Sequence, residues 1–272
     1  MSICDYTSYF SRRVFRHLSE VFDYGLSFSE LGMTDLFVLD LVRFSQQNAS
    51  TQVQVEVYKT SWPVEKLFGN DIDLFVQDAT GLYDWYTLQA KVMSHKGRFK
   101  DLKIKKTGKL QQWHKLLLHE HLFGSQAFYL LYVGKSKTNF PTAAPTFTDC
   151  KGRASMSEYG VTLVKALDIM NTVTGTSPML FSDVFPALAE PLHSIFCCPR
   201  TPPSTAKKFS RKDILPPAYK RVYARGKDDD PYQGYNHPDN FRPDGFAPIR
   251  ILIDLNQDVI DRQKAGQVLS KT

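Results

Sequence analysis

The segment Ala127 to Val133 reads Ala-Phe-Tyr-Leu-Leu-Tyr-Val, an unbroken apolar and aromatic run. A run of this length and composition is typical of a strand buried on both faces. The segments before it carry other periods. Gln52 to Tyr58 alternates polar residues with Val53, Val55 and Val57, as a half-buried strand does. Asp71 to Val76 places Ile72, Leu74 and Val76 on one face and Asp71, Asp73 and Phe75 on the other. Trp85 to Met93 sets Leu88, Ala90 and Val92 against Thr87, Gln89 and Lys91, and Asp78 to Asp84 connects these two strands as a hairpin. Helical spacing runs from Tyr9 to Tyr24, from a start after Thr34 through Val42, and from Leu110 to Leu122. The order is helix, strand, strand, strand, helix, strand.

After Pro141 the pattern weakens. A helix is expected over Glu158 to Thr172 and a late strand over Ile249 to Ile253. No internal repeat and no clean linker divides the 272 residues. One domain is expected, with residues 1–140 as its core and 141–272 as an elaboration packed on it.

The net charge of +6 conceals two basic blocks. Lys96 to Lys115 holds eight Lys or Arg against one acid, and Pro199 to Arg225 repeats that count. Concentrated positive charge is the electrostatic footprint of a protein that meets a phosphate backbone. The composition, 42% apolar and 23% charged, excludes a disordered or collagen-like chain. No apolar run approaches the roughly 18 residues of a membrane span. The first residues lack the apolar stretch of a secretion signal. Four cysteines are too few and too irregularly spaced for a disulfide framework, so a reducing cytoplasm is the expected location. There is no Walker-type loop and no paired CxxC.

The chemistry-bearing stretch is Gly69-Asn70-Asp71-Ile72-Asp73 followed by Gln89-Ala90-Lys91. Side chains at i and i+2 of a strand share a face about 6.5 Å apart, so Gln89 and Lys91 point the same way. Pairing of the two strands brings Asp71 or Asp73 beside them. Carboxylate and amide oxygens suit Mg²⁺, and a lysine beside the ion can orient water and offset phosphate charge.

This pattern, in this order of elements, resembles the PD-(D/E)XK nuclease superfamily, and the glutamine resembles its Mrr-like members. That likeness covers about residues 28 to 135. The whole chain is also similar to an uncharacterised bacterial family, through Glu65, Gly69 to Asp73, Trp85, Gln89 to Lys91, Gln111, Phe128 to Tyr132 and Pro191 to Cys198.

The resemblance implies an α/β, restriction-endonuclease-like core, a central mixed sheet flanked by helices. It implies a Mg²⁺- or Mn²⁺-dependent endonuclease acting on DNA, duplex by expectation, in a bacterial defence setting, with a homodimer or a defence-system partner and no membrane. Asp73 fits the metal-binding aspartate, and Asp71, on the same face, can replace it. Gln89 stands at the second ligand position and contributes a neutral oxygen. Glu65, or Glu30 or Asp35 near the second helix, would supply a further acid, and Lys91 would be the catalytic lysine. Lys96, Arg98, Lys100, Lys103, Lys105, Lys106, Lys109 and Gln111 would meet the nucleic acid, with Lys207 to Arg225 as a second contact region. Replacement of the usual acid by Gln89 leaves a binding module without catalysis as the alternative, and a protein-interaction subunit as a third reading.

Overall fold

The computed structural model describes residues 2–47, 53–60, 68–78, 80–104, 110–149, 152–197, 207–214, 219–224 and 247–255. Its helices are α1 (Ile3–Asp23), α2 (Glu30–Gln47), α3 (Gln112–Phe123), α4 (Ala166–Thr172), α5 (Ser194–Cys197) and α6 (Arg211–Ile214). Its strands are β1 (Gln54–Thr60), β2 (Ile72–Gln77), β3 (Tyr83–Val92), β4 (Arg98–Phe99), β5 (Gln126–Tyr132), β6 (Thr148–Asp149), β7 (Gly152–Arg153), β8 (Val161–Lys165), β9 (Met179–Leu180), β10 (Glu190–Pro191), β11 (Tyr219–Ala224) and β12 (Ile249–Asp254).

Eight strands form one mixed sheet in the order β10-β8-β5-β3-β2-β12-β1-β11. β2 and β3 pair antiparallel with Asp73 opposite Thr87 and Phe75 opposite Trp85, while β3 and β5 run parallel. All seven residues of β5 are buried, as its uninterrupted apolar run requires. Helices lie against both faces. Phe37, Leu41 and Phe44 of α2 join Ile72, Leu74, Leu88 and Ala90 in the larger core. On the opposite face His119 and Phe123 of α3 pack against Trp85 with ring centroids 4.9 and 6.0 Å away. His119 is therefore a core residue.

The C-terminal half does not sit on a finished core. It contributes β8, β10, β11 and β12 to the sheet, and β12 inserts between β1 and β2. β12 runs parallel to β2, with Arg250 level with Asp73. The boundary at residue 140 is thus no boundary of the sheet.

Three local expectations are also corrected. α2 begins at Glu30, where Ser29 Oγ accepts the Gly32 N–H at 3.0 Å and serves as the cap in place of Thr34. The stretch from Glu158 to Thr172 divides into a 3₁₀ turn, the strand β8 and the short α4. Cys4 and Cys197 are joined by a disulfide that ties α1 to α5 across 193 residues of sequence. Among the described residues, no helix is long and apolar enough to cross a membrane.

Candidate active site

The β2–β3 hairpin sets the geometry. Its antiparallel register continues one step beyond the strand, with the Asp71 N–H donating to the Leu88 carbonyl at 2.8 Å. Asp71 thereby meets Gln89. Its Oδ2 accepts from the Gln89 side-chain amide and from the Ala90 N–H, the latter at 3.0 Å. A carboxylate can only accept, so it is the nitrogen of the Gln89 amide that faces it. Gln89 Oε1 therefore points elsewhere, and this buried oxygen has no hydrogen-bond partner in a side chain 2% exposed. An orphaned buried acceptor costs on the order of 1–3 kcal/mol unless something fills it. A cation does so.

Lys91, two residues further along the same face, is 5% exposed. Its Nζ lies 2.9 Å from Glu30 Oε2. Glu30 opens α2, so the helix delivers it to the end of the sheet where β3 finishes and β2 begins. Burial raises the Glu30 carboxyl above its ordinary pKa; the Lys91 charge opposes this, while Asp71 and Asp101 add to it. A cavity of about 200 Å³ opens beside these groups, lined by Glu30, Leu31, Thr34, Asp71, Pro248 and Ile249. Two carboxylates, an amide oxygen and an ammonium group thus share one end of the sheet.

Asp73 does not join them, which corrects the first choice made from the sequence. It is 0% exposed, and both its oxygens are taken. Oδ1 accepts from Asn70 at 3.1 Å, Trp85 Nε1 at 3.0 Å and Thr87 at 3.4 Å. Oδ2 accepts from the Ala247 N–H at 3.0 Å and from Arg250 at 3.2 Å. The Arg250 guanidinium in turn lies over Phe75 and Trp85, 4.8 and 5.7 Å from their centroids. Such a set leaves no lone pair for a metal and describes a buried structural ion pair.

Of the expected nucleic-acid contacts, Lys96, Arg98 and Lys100 are exposed and Lys103 is half-buried, on the segment that follows Lys91. Glu65, Lys105, Lys106 and Lys109 lie outside the described residues. Asp35 pairs instead with Lys59 on the surface, at 3.7 Å. Gln111 precedes α3, and it is the next residue, Gln112, whose amide reaches the Gly69 carbonyl at 3.3 Å.

Part of the second basic block is committed internally. Arg211 pairs with Glu56 at 2.7 Å and with Asp254 at 2.9 Å. Lys208 pairs with Asp78 at 3.0 Å and Asp84 at 2.6 Å. These two residues of the expected second contact region are thus engaged within the fold. Sequence reading also missed Asn70 and Arg250, whose partners are set only by the folded sheet.

A model for a family of unknown function, DUF6615, matches residues 3–269. The chain belongs to this family. The match takes in every element from α1 to β12, so the site and the Asp73–Arg250 pair fall within the DUF6615 unit. No curated protein and no solved structure matches the chain.

Proposed function

We propose that this chain is a metal-dependent nuclease that hydrolyses phosphodiester bonds in DNA, built on a restriction-endonuclease-like core. The observation that carries the reading is the unpartnered, buried Gln89 Oε1 beside Asp71, Glu30 and Lys91. The donor set fits a hard divalent cation, since all its candidate ligands are oxygen. Asp71, Gln89 and Glu30 would hold Mg²⁺ or Mn²⁺ there. When bound, the ion would offset negative charge on the phosphate.

Lys91 supplies the second positive charge. Its ammonium carries three donors, and the one given to Glu30 leaves others for a phosphate oxygen or the attacking water. Burial of its stem holds the group in place, so little order must be created when substrate arrives. Lys96, Arg98 and Lys100 draw the polyanion toward that end of the sheet.

The test is cleavage of supercoiled plasmid by the purified chain with Mg²⁺, Mn²⁺ or EDTA, beside Asp71→Ala and Lys91→Ala. An active, EDTA-sensitive parent with folded, silent variants supports the proposal. Cleavage that survives Lys91→Ala overturns the assigned roles. A second reading, a binding module without catalysis, is favoured by Gln89, a neutral group where the second ligand is usually acidic. A parent that shifts DNA but cuts it with neither metal would select that reading.

A further inference from the structure

A second cavity, of about 220 Å³, adjoins the first through Glu30 and is lined by Ser27, Phe28, Ser29, Lys91, Ser94 and Lys100 among others. The proposed cation ligands Asp71 and Gln89 do not line it. Its lining combines hydroxyl groups, a surface lysine and the carboxyls of Glu30 and Asp101 with the ring of Phe28, which is itself braced by stacking on His17 at 5.7 Å between centroids. That mixture of a flat apolar wall and short hydrogen-bonding groups suits a planar, polar-edged ring more than it suits a bare phosphate.

The loop that forms this wall leaves other apolar side chains in water. Tyr24 is 81% exposed and Leu26 60%, and Leu31, at the lip of the first cavity, is 69% exposed. The loop is held rather than loose at its start, with the Leu26 N–H donating to the Val21 carbonyl at 3.1 Å. The backbone of a regular duplex presents charge and sugar to a protein surface, which gives such side chains little to cover. Unstacked bases present apolar faces, and aromatic side chains beside a basic groove are the usual platform for them. Basic side chains are present in Lys100, which lines the cavity, and in Lys96 and Arg98, exposed on the segment that follows Lys91.

We infer that the cavity beside Lys91 receives a nucleobase and that the loop from Tyr24 to Ser29, with Leu31 at the start of α2, covers its neighbours, so that the site takes unpaired nucleic acid in preference to regular duplex. This rests on the nuclease reading for the phosphate next to Lys91, and it replaces the duplex expected from sequence.

The experiment measures fluorescence anisotropy of a labelled DNA oligonucleotide, single-stranded or annealed to its complement. Both are titrated with the full chain in EDTA, so that cleavage does not interfere. Tyr24→Ser and Phe28→Ala are titrated alongside, with circular dichroism confirming their fold. The single strand is expected to bind about tenfold more tightly than the duplex, and each variant to lose about five- to tenfold on the single strand alone.

Equal or tighter duplex binding overturns the inference. So does an equal loss on both forms, no loss in either variant, or self-association of the parent that Tyr24→Ser abolishes. Binding of neither form overturns it too. A strand preference without metal-dependent cleavage leaves this subsite standing and removes the nuclease reading. Cleavage with duplex preference does the reverse.

Discussion

Arg250 Nη2 lies 3.2 Å from Asp73 Oδ2, with the arginine 1% and the aspartate 0% exposed, at the level where β12 runs beside β2. Two residues earlier, Asp71 lines an open cavity with Glu30. Two aspartates of one short motif therefore do different work.

Mutation separates them. Asp73→Ala strands a buried guanidinium and is expected to cost about 3–5 kcal/mol of folding stability in urea unfolding. Asp71→Asn is expected to cost only about 1 kcal/mol and to lose DNA cleavage. An Asp73→Ala protein of normal stability that has lost only activity would return Asp73 to the metal.

Lys91→Met removes the ammonium but keeps most of the stem. Glu30, whose side chain is 37% exposed, can rehydrate, so the fold is expected to survive. The cleavage rate is expected to fall by about 10²–10³-fold, as it does when one fixed positive or donor group is lost from a charge-developing site. A rate within a few fold of the parent, measured at saturating DNA, would remove Lys91 from the chemistry.

The raised pKa of Glu30 has a definite sign. Burial is its largest cause, with the charges of Asp71 and Asp101 adding and that of Lys91 opposing. The folded state prefers the protonated carboxyl. Its contribution to stability is complete below the ordinary value of 4.5 and is lost as pH rises through the raised one. A cation bound by this carboxyl competes with its protonation. The Mn²⁺ concentration that half-saturates thermal stabilisation should therefore increase as pH falls from neutral toward 4.5, and Glu30→Gln should flatten the dependence. Saturation at about 100 times Kd adds about 2.7 kcal/mol. A pH-independent midpoint in the parent would show that Glu30 is not a ligand.

Glu158 titrates in the opposite sense. Burial alone would raise its pKa, but hydrogen bonds from Ser8, the Ser155 N–H and hydroxyl, and Arg12 overcome burial and hold it at about 2. These contacts fasten α1 to the turn before β8. The stability they confer is present above the ordinary value of 4.5 and is lost as pH falls toward about 2. Glu158→Gln should lower the melting temperature at neutral pH and make its decline over that acid range shallower. An unchanged acid limb in the variant would dismiss the link.

Gly160 lies where the same turn touches α1. A Cβ there would overlap the Ser11 carbonyl oxygen and stand 2.6 Å from the Phe15 nitrogen. Both are helix backbone and cannot swing aside. Gly160→Ala is expected to cost about 3 kcal/mol by overpacking, measured as a lowered urea midpoint at constant slope.

Local alternation made the hairpin legible. It put Thr87, Gln89 and Lys91 on one face of β3 with Asp71 or Asp73 beside them, and the fold sets Asp71 against Gln89 and Asp73 opposite Thr87. The uninterrupted apolar run at β5 was equally plain. The helix expected over Glu158 to Thr172 failed because Val161, Thr162, Leu163 and Val164 are one buried strand, whose partners lie in β5 and β10. Apolar spacing over so few residues fits either element, and pairing decides.

The sequence by itself determined the mixed helix and strand order, the polar face of the hairpin and the positions of its charged groups, since periodicity is a local property of the chain. Which aspartate faces the cavity was decided only by tertiary structure. Arg250 arrives from 177 residues away to neutralise Asp73, and Glu30 comes 61 residues to meet Lys91. Alternation assigns a side chain to a face of the sheet. Only the packed neighbours on that face decide whether its charge is buried against a partner or left beside an opening.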